Sequence, residues 1–311
     1  MSALTSPLKR GIKRSARYCI SHDATRTLLN SAYLLLPASG RKYVHARFAR
    51  VFRGIDYSGD PGRWTVRFAG RRIAAPLTAR SMWLDWETAL SITGHDVEVK
   101  ATYAAFLRGM RRPDLFIDVG GNYGTHSILF LAHGVETVTF EPNPACHEAF
   151  RALCAVNRVE PDLVGAALGA ERGSAQLSFP EGETWLGSIA APVAAALRRD
   201  HALRTVIVER TTLDEHFAGL SGARVLMKID AEGSELDILA GGEKFIRRAR
   251  PYIVFESWRD GDRPRVFDAI SALGYSVHAL PFDPDAPGAT LSLGTFMDEP
   301  TTNFIAAGPK P

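Results

Sequence analysis

Cysteine is scarce in this chain. Cys19, Cys146 and Cys154 are the only three in 311 residues, too scattered for a disulfide framework, and none pairs with a nearby His or Cys at zinc-ligand spacing. A reducing, cytoplasmic setting is the expectation. Long apolar runs are missing as well. The best near the N-terminus, residues 28–37, is broken by Asn30 and Ser31; it is too short to span a bilayer and starts too late for the apolar core of a secretion signal. Repeats and low-complexity tracts are also lacking, which excludes solenoid and fibrous architectures. What is present is 46% hydrophobic and 23% charged residues, the balance of a globular chain able to bury a sizeable core. The length fits one large domain with a smaller appendage.

Acid is nearly absent from residues 1–53, where eleven Lys and Arg face Asp23 alone, a net +10. Since the whole chain carries +3, the other 258 residues carry −7, so the two parts have different tasks. Within the basic part, residues 22–36 predict a helix ended by Pro37-Ala38-Ser39-Gly40, with Leu28, Leu29, Ala32, Tyr33 and Leu36 on one side. Val44, Phe48, Val51 and Phe52 recur at helical spacing over 41–53, with Arg47, Arg50 and Arg53 elsewhere around the same turns. Two readings stay open. One is a pair of helices packed on the main domain with solvated charges, and the other is a basic arm touching an anionic membrane face or a polyanion.

After the turn-rich stretch Tyr57-Ser58-Gly59-Asp60-Pro61-Gly62, alternation of Trp64, Val66 and Phe68 with polar residues predicts a β-hairpin running to Ala75. From about residue 94 short apolar runs alternate with helical stretches, the pattern of βαβ units around a parallel sheet. Seven strands are expected, at 115–119, 137–141, 164–168, 225–230, 252–257, 275–281 and 303–307. Helices are expected at 125–133, 145–159, 234–248 and 263–273, with short extra strands at 176–179 and 206–209. The division is therefore an extension at 1–93 and an α/β domain at 94–311.

The strongest motif is Phe116-Ile117-Asp118-Val119-Gly120-Gly121-Asn122-Tyr123-Gly124, a strand running into a glycine turn and then a helix. Such a turn leaves room for a ligand against its backbone, and Asn122 tolerates the left-handed conformation. The D-x-G-x-N-x-G order is not a dinucleotide fingerprint, and an acid two residues before the first glycine would repel a pyrophosphate. It suits a cationic ligand with an amino group, which favours S-adenosylmethionine over NAD. Twenty-three residues on, Glu141 closes a second strand, where a carboxylate accepts hydrogen bonds from ribose hydroxyls.

These blocks, with Phe140-Glu141-Pro142-Asn143-Pro144, Thr212-Leu213-Asp214 and Lys228-Ile229-Asp230-Ala231-Glu232-Gly233-Ser234-Glu235-Leu236 following in order, resemble the FkbM-type methyltransferases over roughly residues 95–308. The resemblance implies a Rossmann-like class I fold, a seven-stranded mostly parallel sheet with helices on both faces, and methylation of a hydroxyl on a sugar or natural product. Gly121 stands where the family more often has Ala. Glu98 matches a common acid upstream of the glycine turn and is expected near the methionine end of the donor. The implied donor-binding set is Glu98, Asp118, Gly120, Gly121, Asn122, Gly124, Glu141, Pro142 and Asn143.

Open α/β sheets bind ligands at the carboxyl ends of their strands, which puts Asp230 and Glu232 near the transferred methyl. A carboxylate or imidazole there can take the proton of an acceptor hydroxyl, and the alternative for these acids is capping the next helix. Lys228 is expected to pair with one of them, and His126 is a rival base. Glu256 with Asp230 is too thin a ligand set for a metal site to be expected. Trp83, Trp86 and Trp185 are candidate sugar platforms, with Ser188 and the loop from Glu181 as acceptor contacts. The expected function is S-adenosylmethionine-dependent O-methylation of a saccharide or sugar-bearing natural product. The alternatives are N-methylation of a small amine and a non-catalytic binding module that keeps the donor fold. The basic residues precede the donor region and no base-flipping motif follows a strand, so a small-molecule or glycan acceptor is expected and nucleic acid is not.

Overall fold

Leu115–Val119 is apolar on both faces apart from Asp118, and every one of its residues is buried, as befits the middle strand of a sheet covered on both sides. The computed structural model describes residues 22–52, 63–76, 86–180, 186–259 and 261–308, with positions 11, 14, 15, 18 and 19 before them. In chain order the helices are α1 (Asp23–Leu35), α2 (Ala38–Phe52), α3 (Trp86–Gly94), α4 (Val97–Arg108), α5 (Ser127–Leu131), α6 (Pro144–Asn157), α7 (Ala191–Asp200), α8 (Leu213–His216), α9 (Glu235–Ala240), α10 (Glu243–Ala249), α11 (Arg263–Ala272) and α12 (Leu293–Asp298). The strands are β1 (Arg63–Phe68), β2 (Arg71–Pro76), β3 (Leu115–Val119), β4 (Glu136–Phe140), β5 (Asp162–Val164), β6 (Ala166–Leu168), β7 (Gly173–Pro180), β8 (Leu203–Thr211), β9 (Val225–Ile229), β10 (Tyr252–Glu256), β11 (Ser276–Ala279) and β12 (Asn303–Ala307).

Seven strands form the main sheet in the order β11-β12-β10-β9-β3-β4-β5. The pairings from β10 through β9, β3 and β4 to β5 are parallel, and only β12 runs against its neighbours. The fold is the α/β class expected, a mostly parallel Rossmann-like sheet. The predicted strand at 164–168 is corrected. Gly165 breaks it in two, so that β5 edges the main sheet while β6 joins β8 and β7 in a separate three-stranded sheet. The extra strands at 176–179 and 206–209 are the hearts of β7 and β8, which pair antiparallel outside the main sheet. The single helix expected over 234–248 is also two, interrupted at Gly241-Gly242. There a Cβ on Gly241 would lie 2.0 Å from the Gly169 carbonyl, so the chain crosses too closely for any side chain.

The two faces of the sheet build two cores. Phe116, Tyr103, Phe130 and Phe150 pack on one side, and Ile117, Phe140, Met227, Phe245 and Phe255 on the other. The first core continues without a break into Tyr33 of α1 and Trp64, Val66, Phe68 and Ile73 of the β1–β2 hairpin. Ala69 and Gly70 both have positive φ in the hairpin turn, the geometry that matches strand twist. Tyr33 Oη lies 3.1 Å from Thr93 Oγ1 on α3, and Asn30 Oδ1 accepts from the Thr65 N–H at 3.2 Å. The helices of the basic segment are therefore part of the packed body across the expected division at 93/94. The helix predicted over 22–36 turns only part of the expected side inward, with Leu36 packed on the core beside Tyr33. Tyr33 is buried, while Leu28 and Leu29 are exposed. Residues 57–62, Trp83, Trp185 and the loop from Glu181 to 185 lie outside the described residues, as does the side chain of Trp86.

Candidate active site

At the carboxyl end of β3 the chain turns through Gly120, Gly121 and Asn122, with φ of +76° at Gly120 and 50° at Asn122. The Gly120 and Gly121 N–H groups donate to the Phe140 carbonyl at 3.0 and 3.1 Å, which binds the turn to the end of β4. A Cβ at Gly120 would stand 1.8 Å from the Asp230 carbonyl oxygen, and one at Gly121 would stand 2.1 Å from Thr139 Cγ2. Gly124 has another reason to be glycine. Its Cβ would strike the Phe150 ring at 1.9 Å, so it serves core packing rather than ligand space.

Glu141, just past β4, accepts from the Asn122 N–H through Oε2 and from the Asn143 N–H through Oε1, both at 2.7 Å. Burial pushes its pKa up to about 7 against those two donors, with the Asp118 charge adding to the rise. Asp118 lies beneath the turn, fully buried. Its Oδ2 accepts from Ser127 Oγ at 2.6 Å, while Oδ1 has no partner among the described residues.

The turn between β9 and α9 supplies the facing wall. Lys228 is buried and donates to Asp230 Oδ2 at 2.9 Å; burial disfavours its charge, yet the Asp230 and Asp118 carboxylates hold its pKa above the usual lysine value. Glu232 and Gly233 are left-handed, with φ of 48° and 97°. Glu235 braces this bend by accepting from the Ala231 and Gly233 N–H groups at 3.1 and 3.3 Å, and Ser188 Oγ donates to the Glu232 carbonyl at 2.8 Å. Carboxylate oxygens of Asp230, Glu232 and Glu256 lie within 4.8 Å of one another. Burial, then the Asp230 charge, raises Glu232 to about 7 and Glu256 to about 9, so both glutamates hold a proton more readily than a carboxylate in water does. Glu256 also accepts from the Trp258 indole N–H at 2.9 Å, and Trp258 is 58% exposed beside the acids. Arg263 fixes this loop: it donates to the Ser257, Phe296, Glu299 and Thr301 carbonyls and lies between the Phe296 and Phe304 rings.

One cavity gathers most of the expected residues: Gly120, Gly121, Asn122, His126, Glu141, Pro142, Lys228, Asp230 and Glu232. Leu168, Leu177 and Ile189 give it apolar lining, and His95 and Asp96 line it together with Asp230. Four expected residues do not line it. Gly124 and Asp118 lie beneath the turn, and Asn143 caps α6 by accepting from the Ala145 N–H. Glu98 is the fourth: it sits in the first turn of α4 and pairs with Lys42 at 2.6 Å, 42% exposed. Asp96, two residues earlier, lines the cavity where Glu98 does not.

Sequence reasoning missed His95 and Asp96. The available signal was the run Thr93-Gly94-His95-Asp96 before the apolar pattern of α4, a helix-start arrangement. Asp96 holds a left-handed φ of 45° and makes no capping bond. Its carboxylate instead reaches His95 Nε2 at 3.3 Å and His126 Nε2 at 3.6 Å. A strained residue whose side chain is diverted to two imidazoles is the kind that clusters at functional sites. Burial pushes Asp96 up, but His126, His95 and Lys100 outweigh it and leave the pKa well below the carboxylate range. His126 is buried at the start of α5 with both ring nitrogens engaged, the second by Tyr103 Oη at 3.2 Å. Burial, with the Lys228 and Lys100 charges, lowers its pKa to about 4. His95 keeps 58% of its side chain open, and desolvation by the wall lowers its pKa against the pull of Asp96.

The Thr212-Leu213-Asp214 block has a structural task. Thr212 caps α8, and Asp214 accepts from the Lys244 and Phe245 N–H groups at the start of α10.

The family model described as the methyltransferase FkbM domain matches residues 118–277. Among solved structures, the chain is similar to a methyltransferase FkbM from Methylobacillus flagellatus KT, with 11% identity over 71% of this chain and a TM-score of 0.38. It spans 54% of that structure's length. A SAM-dependent methyltransferase from Agrobacterium tumefaciens is similar at 12% identity, over 82% of this chain and 72% of that one, with a TM-score of 0.39. A precorrin-6y C5,15-methyltransferase from Geobacter metallireducens GS-15 shows 14% identity, over 70% of this chain and 90% of that one, with a TM-score of 0.37. Comparison with curated proteins gives no match.

Proposed function

The chain belongs to the FkbM methyltransferase family, and on that membership we propose that it transfers a methyl group from S-adenosylmethionine to a hydroxyl of a saccharide or sugar-bearing natural product. The residues fit the donor. The Gly120–Gly121 cradle would be filled by any Cβ, Glu141, clamped by two backbone N–H groups, suits the role of acceptor for ribose hydroxyls, and the apolar side at Leu168, Leu177 and Ile189 suits an adenine. Asp96, Asp230 and Glu232 make the far end acidic, which suits an ammonium and a sulfonium. The donor supplies an electrophilic methyl group, and the rest falls to this chain.

The observation that carries the saccharide reading is Trp258, exposed beside Asp230, Glu232 and Glu256 and anchored through its indole N–H. An aromatic face next to clustered carboxylates suits a pyranose, which presents apolar C–H faces and a rim of hydroxyls. Asp230, kept in place by Lys228, accepts a hydrogen bond from the reacting hydroxyl and aims it. His95 takes the proton, with Asp96 on its other ring nitrogen in the manner of an orienting carboxylate. His126 acts behind Asp96, since both of its nitrogens are engaged.

Incubation with methyl-labelled S-adenosylmethionine and a panel of neutral saccharides, amino sugars and simple amines, read by mass spectrometry, tests this reading. A label on neutral saccharides is expected. A label confined to amines would replace it with N-methylation, and failure to bind S-adenosylhomocysteine would remove the donor assignment altogether. Donor affinity by calorimetry is expected to weaken by about 1 to 3 kcal/mol in Glu141→Gln, for the charge-assisted bonds lost. Because ribose hydroxyls need the ionised carboxylate and Glu141 titrates near 7, wild-type affinity should also fall as pH drops through 7, and the Gln variant should lose that dependence.

A further inference from the structure

We propose that the outward side of α1 and α2 docks this protein on the surface of an anionic phospholipid bilayer. The proposal goes beyond the methyl-transfer reading and needs none of it. On α1 the inward side is fixed by buried Tyr33 and by Asn30, which accepts from the Thr65 N–H. Leu28 and Leu35, seven residues apart and so on one line of the helix, point the opposite way, 70% and 86% exposed. Tyr43 on α2 is 59% exposed, with the Arg47 guanidinium 5.6 Å above its ring. Leucines turned to water on a helix already anchored by its other side have no folding reason to be apolar, and together with the exposed Tyr43 and Arg47 of the next helix they have the make-up of an interfacial surface.

Charge decides among occupants. Residues 1–53 carry +10 and the other 258 carry −7, so an anionic plane attracts this end and repels the rest, which both binds and orients the molecule. A second copy meeting the same face would bring two basic segments of like charge together. A hydrophilic polyanion would meet the arginines but offer nothing to Leu28 and Leu35. No helix among the described residues is long and apolar enough to cross a membrane, so the contact is with the surface. The docking helices also touch the cavity wall, since the His45 ring of α2 lies 5.3 Å from that of His95.

The test is co-sedimentation of the full chain with vesicles of phosphatidylcholine alone or mixed with phosphatidylglycerol. Binding is expected only to the mixed vesicles. It should fall steeply between about 0.1 M and about 1 M salt, as the screening length shortens from about 10 Å to about 3 Å. In a variant carrying both Leu28→Ser and Leu35→Ser, partitioning should weaken about tenfold per leucine, the loss expected for side chains that insert in apolar surroundings. Thermal melting should stay unchanged, because neither side chain packs on the core. Equal binding to neutral vesicles, or wild-type partitioning by the double variant, overturns the proposal. So does binding to duplex DNA without binding to vesicles, which would make the face a polyanion site. A concentration-dependent dimer that the double variant abolishes would assign it to a second copy.

Discussion

His95→Asn should lower single-turnover methyl transfer by about 10²- to 10⁴-fold while leaving S-adenosylhomocysteine affinity nearly unchanged, the range observed when a positioned general base is removed. The expectation rests on which imidazole is free. His126 is sealed between Asp96 and Tyr103, and a proton delivered there would have to enter a buried ring whose pKa is already down at about 4. His95 shares Asp96 but stays open to the cavity. Its pKa is lowered from the ordinary value, so at neutral pH the ring is unprotonated and ready to accept. The sign follows: the wild-type rate should hold through neutrality and decline only at acid pH, below the ordinary histidine range, where the lowered His95 gains its proton. His95→Asn should lose that acid limb. Asp230→Asn should act differently, slowing transfer without moving the limb, because it aims the hydroxyl and does not receive the proton. A normal rate in His95→Asn together with a lost acid limb in Asp230→Asn would hand the proton to Asp230.

Much of this arrangement was legible in the sequence because it depends on local spacing. Strand, glycine turn and helix follow from apolar runs punctuated by Gly120, Gly121 and Gly124, and Glu141, the acid proposed for the ribose, lies one βα unit away. Both sit at strand ends that the alternation of elements already locates. What escaped depends on contacts between distant parts of the chain. Gly124 looked like ligand space, and only the Phe150 ring from α6 shows that it is packing. Glu98 and Asp96 are two residues apart, which on a helix is a rotation of more than half a turn. The family resemblance pointed to the acid inside the helix, whereas the left-handed bend at Asp96 is what aims a carboxylate at the cavity. Trp258 was passed over because its value comes from Glu256 and from the buried Arg263 that holds its loop. The direction of Leu28 was misread for a similar reason. Near-equal apolar and polar sides on α1 leave tertiary partners, here Thr65 and Thr93, to decide which faces inward.

Gly120→Ala should abolish measurable donor binding and destabilise the fold by about 2 to 5 kcal/mol. This combines the left-handed backbone that a side chain resists, at about 1 to 2 kcal/mol, with the overpacking of a filled site, at about 1 to 3 kcal/mol. The methyl group would lie 1.8 Å from the Asp230 carbonyl oxygen. That oxygen is backbone, so no rotamer change relieves the clash. Relief requires moving the turn after β3 away from the turn after β9, and those two are tied by the Asp230 N–H bonded to the Val119 carbonyl at 3.1 Å. Since one turn forms the proposed donor cradle and the other presents Asp230, a single methyl group would spoil both halves of the proposed site. Gly124→Ala is the control that separates space for the ligand from space for the core. It collides with Phe150 instead, so it should lower stability in urea titration, yet any folded fraction should bind S-adenosylhomocysteine with wild-type affinity. If Gly120→Ala, held folded in stabilising osmolyte, bound S-adenosylhomocysteine as tightly as the wild type, the cradle would not be where the donor lies, and the cavity bounded by Glu141 and Asp230 would have to be assigned to another ligand.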